Sequence, residues 1–228
     1  MNYKDMADTF SLDRRRILFY LAKADELLAE MGEELTVYVS GGANMCLYVG
    51  SRDSTSDIDT TPSNEALLRK LAGKMQTMFS LPNNWLNPSG TIFVTERMMT
   101  ESVLGLDFPN LKVYFLSFKC MLVLKVLAAR SEMDKHDMQD TIALLIKLKI
   151  KSLAEVSALV DEYKPAWNNQ FVMSFAKEAL ELAWPCLSEG IKVQEIHARF
   201  DKAAKAQNHI SVLSDSKVKH CETIALDL

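Results

Sequence analysis

The sequence predicts an α/β (α+β) protein, on three observations. β-branched and aromatic runs alternate with amphipathic helical patterns over the first half. From Ser117 onward only helical patterns follow. Pro165, Pro185 and several Asn/Pro/Gly clusters supply the breaks. We place an α/β core at 1–116 and a helical C-terminal domain at 117–228.

The elements follow in order. Ile17, Tyr20, Leu21, Leu27, Leu28 and Met31 recur at helical spacing and predict a helix over 11–31, stopped by Gly32. Ser11 followed by Arg14 gives only half of a capping signal. Residues 35–39, Leu-Thr-Val-Tyr-Val, predict a strand. A short helix after Gly42 carries Met45, Cys46, Tyr48 and Val49, and Gly50-Ser51 ends it. A second strand is expected over 54–60 and an amphipathic helix over 64–79. Turn clusters at Pro82-Asn83-Asn84 and Asn87-Pro88-Ser89-Gly90 precede two more strand candidates, 91–94 and 111–116, separated by Phe108-Pro109-Asn110. Helices are then expected near 117–130, 134–149, 152–163, 168–183 and 192–205, followed by a loose tail.

Bulk properties narrow the class. A chain of 228 residues with 48% hydrophobic and 25% charged side chains is ordinary for a soluble globular protein. Its net charge of −4 argues against a strongly basic nucleic-acid binder. Arg14-Arg15-Arg16 and Lys202, Lys205, Lys217 and Lys219 form either a local basic patch or solvated helix faces. No apolar run approaches membrane-spanning length, and the first residues lack the order of a signal peptide. Cys46, Cys120, Cys186 and Cys221 form no CxxC pair and are expected as reduced thiols in a cytoplasmic protein.

Four groups of residues point to chemistry. Ser40-Gly41-Gly42 leaves a strand and opens a helix, which is either an ordinary tight turn or a place where backbone N–H groups meet phosphate. It lacks the further residues of a P-loop or a dinucleotide fingerprint. Asp57-Ile58-Asp59 places two carboxylates on one strand face, although Asp is disfavoured in strands. Turn chemistry before Pro62 would explain them, and so would a bound cation. Two carboxylates beside a phosphate cradle suit Mg²⁺, which takes few protein ligands and substrate phosphates. Lys125 sits in a wholly apolar stretch, and buried lysine needs a partner unless its stem snorkels. Asp134, Asp137 and Asp140 form one helix row; Asp134 reads as a cap, and Asp137 or Asp140 could reach back to Lys125 or Arg130. His136 reads as an exposed helix residue, with no zinc-ligand spacing around it.

These pieces together resemble the minimal nucleotidyltransferases of the DNA polymerase β superfamily, above all the bacterial AbiEii-like toxin nucleotidyltransferases. The resemblance rests on Ser40-Gly41-Gly42, on Arg52-Asp53-Ser54-Thr55-Ser56-Asp57-Ile58-Asp59, and on Lys125-x4-Arg130 with Asp137-x2-Asp140. The Trp85-Leu86-Asn87 segment adds to it, and it covers residues 35–148. It implies a mixed-sheet nucleotidyltransferase core with a helical C-terminal part. It further implies that Asp57 and Asp59 hold Mg²⁺ and are catalytic with Lys125, which would contact a nucleoside triphosphate. Ser40, Gly41, Gly42, Arg52, Thr55 and Arg130 would bind the nucleotide. The acceptor would be a hydroxyl of tRNA or protein, and an antitoxin protein a further partner. Relatives commonly use a third carboxylate on a later strand; here neither 91–94 nor 111–116 contains one. Glu96, Glu101 and Asp107 lie nearby. Either one of them serves, or activity is reduced, or the fold serves binding alone as a nucleotide sensor or partner subunit.

Overall fold

The computed structural model describes residues 10–128 and 135–189. The chain divides into two units, Met1–Glu181 and Leu182–Leu228, and the account below concerns the first. The first helix, α1 (Arg14–Met31), follows a two-residue strand β1 (Leu12–Asp13). Asp13 rather than Ser11 caps it, its carboxylate accepting the Arg16 N–H at 2.8 Å. Gly32 closes it in the left-handed conformation. β2 (Leu35–Val39) then runs into α2 (Gly41–Asn44), which passes directly into a π-turn over Met45–Val49.

The stretch expected as one strand over 54–60 is two. β3 (Ser54–Thr55) pairs with β1, and β4 (Ile58–Pro62) pairs antiparallel with β2. The break falls at Ser56-Asp57, so Asp57 stands just ahead of β4 and Asp59 within it. α3 (Glu65–Phe79) is capped by Asn64. β5 (Leu86–Asn87) lies parallel to β4. The strand expected at 91–94 does not form. A 3₁₀ turn, Ser89–Ile92, takes its place, with the Thr91 N–H bonded to the Pro88 carbonyl. The turn chemistry of Asn87-Pro88-Ser89-Gly90 overrides the β propensity of Ile92, Phe93 and Val94. Gly90 packs so closely on β4 that a Cβ would lie 2.8 Å from the Thr60 carbonyl.

After α4 (Glu96–Thr100) comes a strand that the pattern did not announce, β6 (Val103–Asp107). Gly105 hides it in the sequence, yet Gly105 is what admits the Phe115 ring, since any Cβ there would overlap it. β7 (Leu111–Phe115) completes a five-stranded mixed sheet ordered β5-β4-β2-β7-β6, with β2 and β7 parallel. The fold is thus α+β with a mixed sheet. Leu21 and Leu28 of α1, and Leu68, Leu71 and Met75 of α3, bury in one core with Val37, Ile58 and Val113 of the sheet. Trp85 is fully buried there and donates its indole N–H to the Ala72 carbonyl.

The helices α5 (Phe118–Leu127), α6 (Lys135–Leu148) and α7 (Leu153–Tyr163) pack together, α5 against both of the others. Pro165 breaks the run at a 3₁₀ turn, Pro165–Trp167. Pro185 does not: α8 (Gln170–Glu189) continues through it, despite the lost backbone donor and the crowding of the ring on the preceding turn. The expected helix at 192–205 and the tail lie outside the described residues. No helix among the described residues is long and apolar enough to cross a membrane.

Candidate active site

Strand directions build the site. β4 runs antiparallel to β2, so the beginning of β4 lies beside the end of β2. The Ser40 N–H reaches the Asp59 carbonyl at 2.9 Å. Asn44, fully buried on α2, donates to the carbonyls of Val39 at 2.9 Å and Leu116 at 3.2 Å. That side chain ties α2 to the ends of both parallel strands and fixes where Ser40 and Gly41 point. Gly41 has φ +59, and a Cβ on it would overlap Asp59 Oδ2. Only glycine lets the turn lie this close to the carboxylate.

A cleft of about 610 Å³ opens at this corner, beyond the end of β2. Its polar part is made by Ser40, Gly41, Asp57, Asp59, Ser89, Lys125 and Asp137. Its apolar part comes from α5, Phe93 and Trp167. Of the residues read from the sequence, Ser40, Gly41, Asp57, Asp59, Lys125 and Asp137 therefore meet in one cavity. Gly42 faces elsewhere: a Cβ there would overlap Thr55 Oγ1 and lie 3.1 Å from an Arg52 nitrogen. Arg52 and Thr55 thus pack behind the turn and do not line the cleft. Arg130 lies outside the described residues.

Lys125 is buried but not unpaired. Its ammonium lies 2.7 Å from Asp137 Oδ1 and 2.8 Å from Asp140 Oδ2. Asp140, 1% exposed, also receives Arg52, whose Nε is 2.8 Å from Oδ1. Two cations and two carboxylates form one chain from the Arg52 loop through α6 to α5. It is neutral overall, which is how such charges persist in the interior. The reach of Asp137 and Asp140 back to Lys125 is as the helix row suggested; Arg52 as the fourth member, 88 residues from Asp140, is new.

Asp57 and Asp59 have the opposite character. Burial, then the neighbouring Asp59 charge, pushes the Asp57 carboxyl above its ordinary value. Arg52 and Lys125 act in the other direction and do not prevail. Two half-buried carboxylates beside a hydroxyl are a donor set that fits a hard divalent cation. Among the described residues no cluster of three His, Cys, Asp or Glu side chains completes a protein cage. The remaining ligands of such an ion would come from substrate and water, as is usual for Mg²⁺.

The same imbalance makes a stability prediction for the protein in chelator. A carboxyl whose folded pKa is raised favours the fold when protonated and costs stability once ionised. That contribution is lost as pH rises through the acid range. Asp57→Asn is therefore expected to raise Tm at pH 7 by about 1–2 °C, a discounted fraction of a kcal/mol for a partly exposed group. The gain should shrink as pH falls toward that of a free carboxyl. A lower Tm for the variant at pH 7 would contradict the uncompensated charge.

Neither Glu96, Glu101 nor Asp107 lines the cleft. Glu101 instead accepts from the Tyr163 hydroxyl and pairs with Arg97 on the α4–α7 side. Burial pushes the Cys46 thiol up to about 11, so it is no nucleophile at neutral pH. Sequence reasoning missed Ser89, Gly90, Phe93 and Trp167 as cleft residues. The Pro-Ser-Gly turn was the one available signal for the first two.

No family model matches the chain, and no curated protein matches it. Among solved structures, an antigenic nucleotidyltransferase-like protein from Paracoccidioides brasiliensis is similar to it over 75% of this chain and 94% of its own, with a TM-score of 0.43 and 14% identity.

Proposed function

We propose that this chain is a Mg²⁺-dependent nucleotidyltransferase that moves a nucleoside monophosphate from a nucleoside triphosphate to an acceptor hydroxyl. One observation carries the reading: Asp57 and Asp59 share a single cleft with the Ser40–Gly41 turn, and its other side is apolar. A ligand with a polyanionic end and a flat, less polar end matches that division.

Asp57 and Asp59 would hold the divalent ion, which when bound offsets the charge of the triphosphate. Ser40, whose hydroxyl otherwise donates to the Asp59 carbonyl at 3.4 Å, and the Gly41 backbone would turn to phosphate oxygens. Lys125 is held in the cleft wall by Asp137 and Asp140, available to a phosphate that approaches from the Asp137 side. The acceptor oxygen bonds to the α-phosphorus as the bond to pyrophosphate breaks. Pyrophosphate leaves with that electron pair, and the hydroxyl proton passes to water.

The test is incubation with each of four α-³²P nucleoside triphosphates, Mg²⁺ and total tRNA. Label on RNA or on protein is expected with the native chain and not with Asp57→Ala or Asp59→Ala. Equal labelling by either variant would sink the reading. The motif resemblance extends it to a toxin with an antitoxin partner, acting in the cytoplasm. Growth arrest on induction of the native chain, but not of Asp57→Ala, would support that extension, and equal growth would oppose it.

A second reading has its own observation. Asp137 is the other carboxylate in the cleft, and Lys125 already holds it. A nucleotide sensor or partner subunit would bind triphosphate without releasing pyrophosphate, so steady pyrophosphate release excludes it.

A further inference from the structure

The apolar side of the cleft is uniform in chemistry. Phe93, Met121, Leu124, Leu127, Ala128 and Trp167 make it up. Among these described residues the indole N–H of Trp167 is the one side-chain donor, and the Met121 thioether is a weak acceptor. Trp167 is 48% and Phe93 39% exposed, although both rings stand at a cavity wall. Among the described residues neither ring is paired with another aromatic side chain. Half-exposed, unstacked rings in a concave site leave π-faces for a flat ligand.

The backbone that carries Trp167 is also held in place. Its 3₁₀ turn is closed by the Trp167 N–H on the Lys164 carbonyl at 2.9 Å. The next residue, Asn168, donates to Ser157 Oγ at 2.8 Å and to Asp161 Oδ1 at 2.7 Å, both on α7. Two α7 side chains thus anchor the turn that carries the indole, and little ordering is left to be done on binding.

Resting on the nucleotide reading above, we propose that Trp167 and Phe93 form the nucleobase subsite of this cleft, one that grips the base by stacking and accepts all four bases. A wall with a single N–H donor and only the weak thioether acceptor of Met121 has little means of telling an amino group from a carbonyl on the base edge. Stacking is tolerant because every base has a π-face. Purines, with the larger face, bind more tightly than pyrimidines, and adenine and guanine bind alike.

The experiment is calorimetric titration of the full chain, in Mg²⁺, with ATP, GTP, CTP, UTP and inorganic tripolyphosphate. On the scale of base–aromatic stacking, Trp167→Ala is expected to weaken each nucleotide about tenfold or more and Trp167→Phe by about threefold or less. Tripolyphosphate, which has no base, should bind both variants as it binds the native chain. Unchanged nucleotide affinity in Trp167→Ala would overturn the subsite, as would equal affinity of the native chain for ATP and tripolyphosphate. A preference for ATP over GTP of about a hundredfold would overturn its tolerance, since stacking alone does not separate them so far. Heat from tripolyphosphate alone would leave the polar half of the cleft standing and remove this proposal. Heat from none of the five would remove the nucleotide reading itself, and the subsite with it.

Discussion

Replacement of Asp140 by alanine is expected to cost the fold about 3–5 kcal/mol, the penalty for leaving buried charge uncompensated. Asp140 is the member of the four-residue chain that touches both cations. Its side chain is 2% exposed, Lys125's 10% and Arg52's 18%, so water cannot replace it readily. Arg52 would lose its only carboxylate among the described ion pairs, while Lys125 would keep Asp137. Tm should fall by about 6–20 °C for a unit of this size. Asp137→Ala, which strands neither cation completely, should cost less. Thermal melts of both variants, with Arg52→Ala added for a double-mutant cycle, check this. A loss at Asp140 no larger than that at Asp137 would mean that the chain of charges is not buried as described.

The second large effect is functional. Gly41→Ala should reduce nucleotide transfer by about a hundredfold or more, the scale of loss when a reacting group is displaced by about 1 Å. The alanine must hold φ +59, which costs about 1–2 kcal/mol. Its methyl must also enter the space of Asp59 Oδ2. Gly32 separates the two costs. It has φ +66 at the end of α1, and a Cβ there meets nothing within 4 Å. Gly32→Ala should therefore lose comparable stability and keep transfer. If Gly41→Ala labels its acceptor as well as Gly32→Ala does, the close approach of turn and carboxylate has no part in function.

Much of this geometry is local, and the local part was legible. Ser40-Gly41 and Asp57-Ile58-Asp59 are nineteen residues apart at most, across the pairing of β2 with β4, and the strand and turn signals are strong there. α3, α5, α6 and α7 announce themselves by periodicity, and their ends fall near the expected ones. The misses share a cause. Ile92-Phe93-Val94 reads as a strand, but Pro88 and Gly90 decide its conformation, and it is Phe93's place in the cleft that matters. β6 is concealed by a glycine whose reason is the ring of Phe115, on another strand. Arg52 with Asp140, and Trp167 with Asp57, are long-range meetings that no sequence spacing encodes.

The irregularity of β6 bears on how the molecule behaves at high concentration. Among the described residues the sheet has two open margins, and each is a poor template for a foreign strand. β5 offers two residues, too few to nucleate a ladder. β6 is longer and carries exposed Val103 and Leu104, an invitation to edge-to-edge association. Its register slips between Leu104 and Leu106, so its outward N–H and C=O groups no longer fall on the spacing that a straight strand could match. The irregularity beside Gly105, whose missing Cβ makes room for Phe115, thus also makes this edge a poorer template for pairing with a second copy.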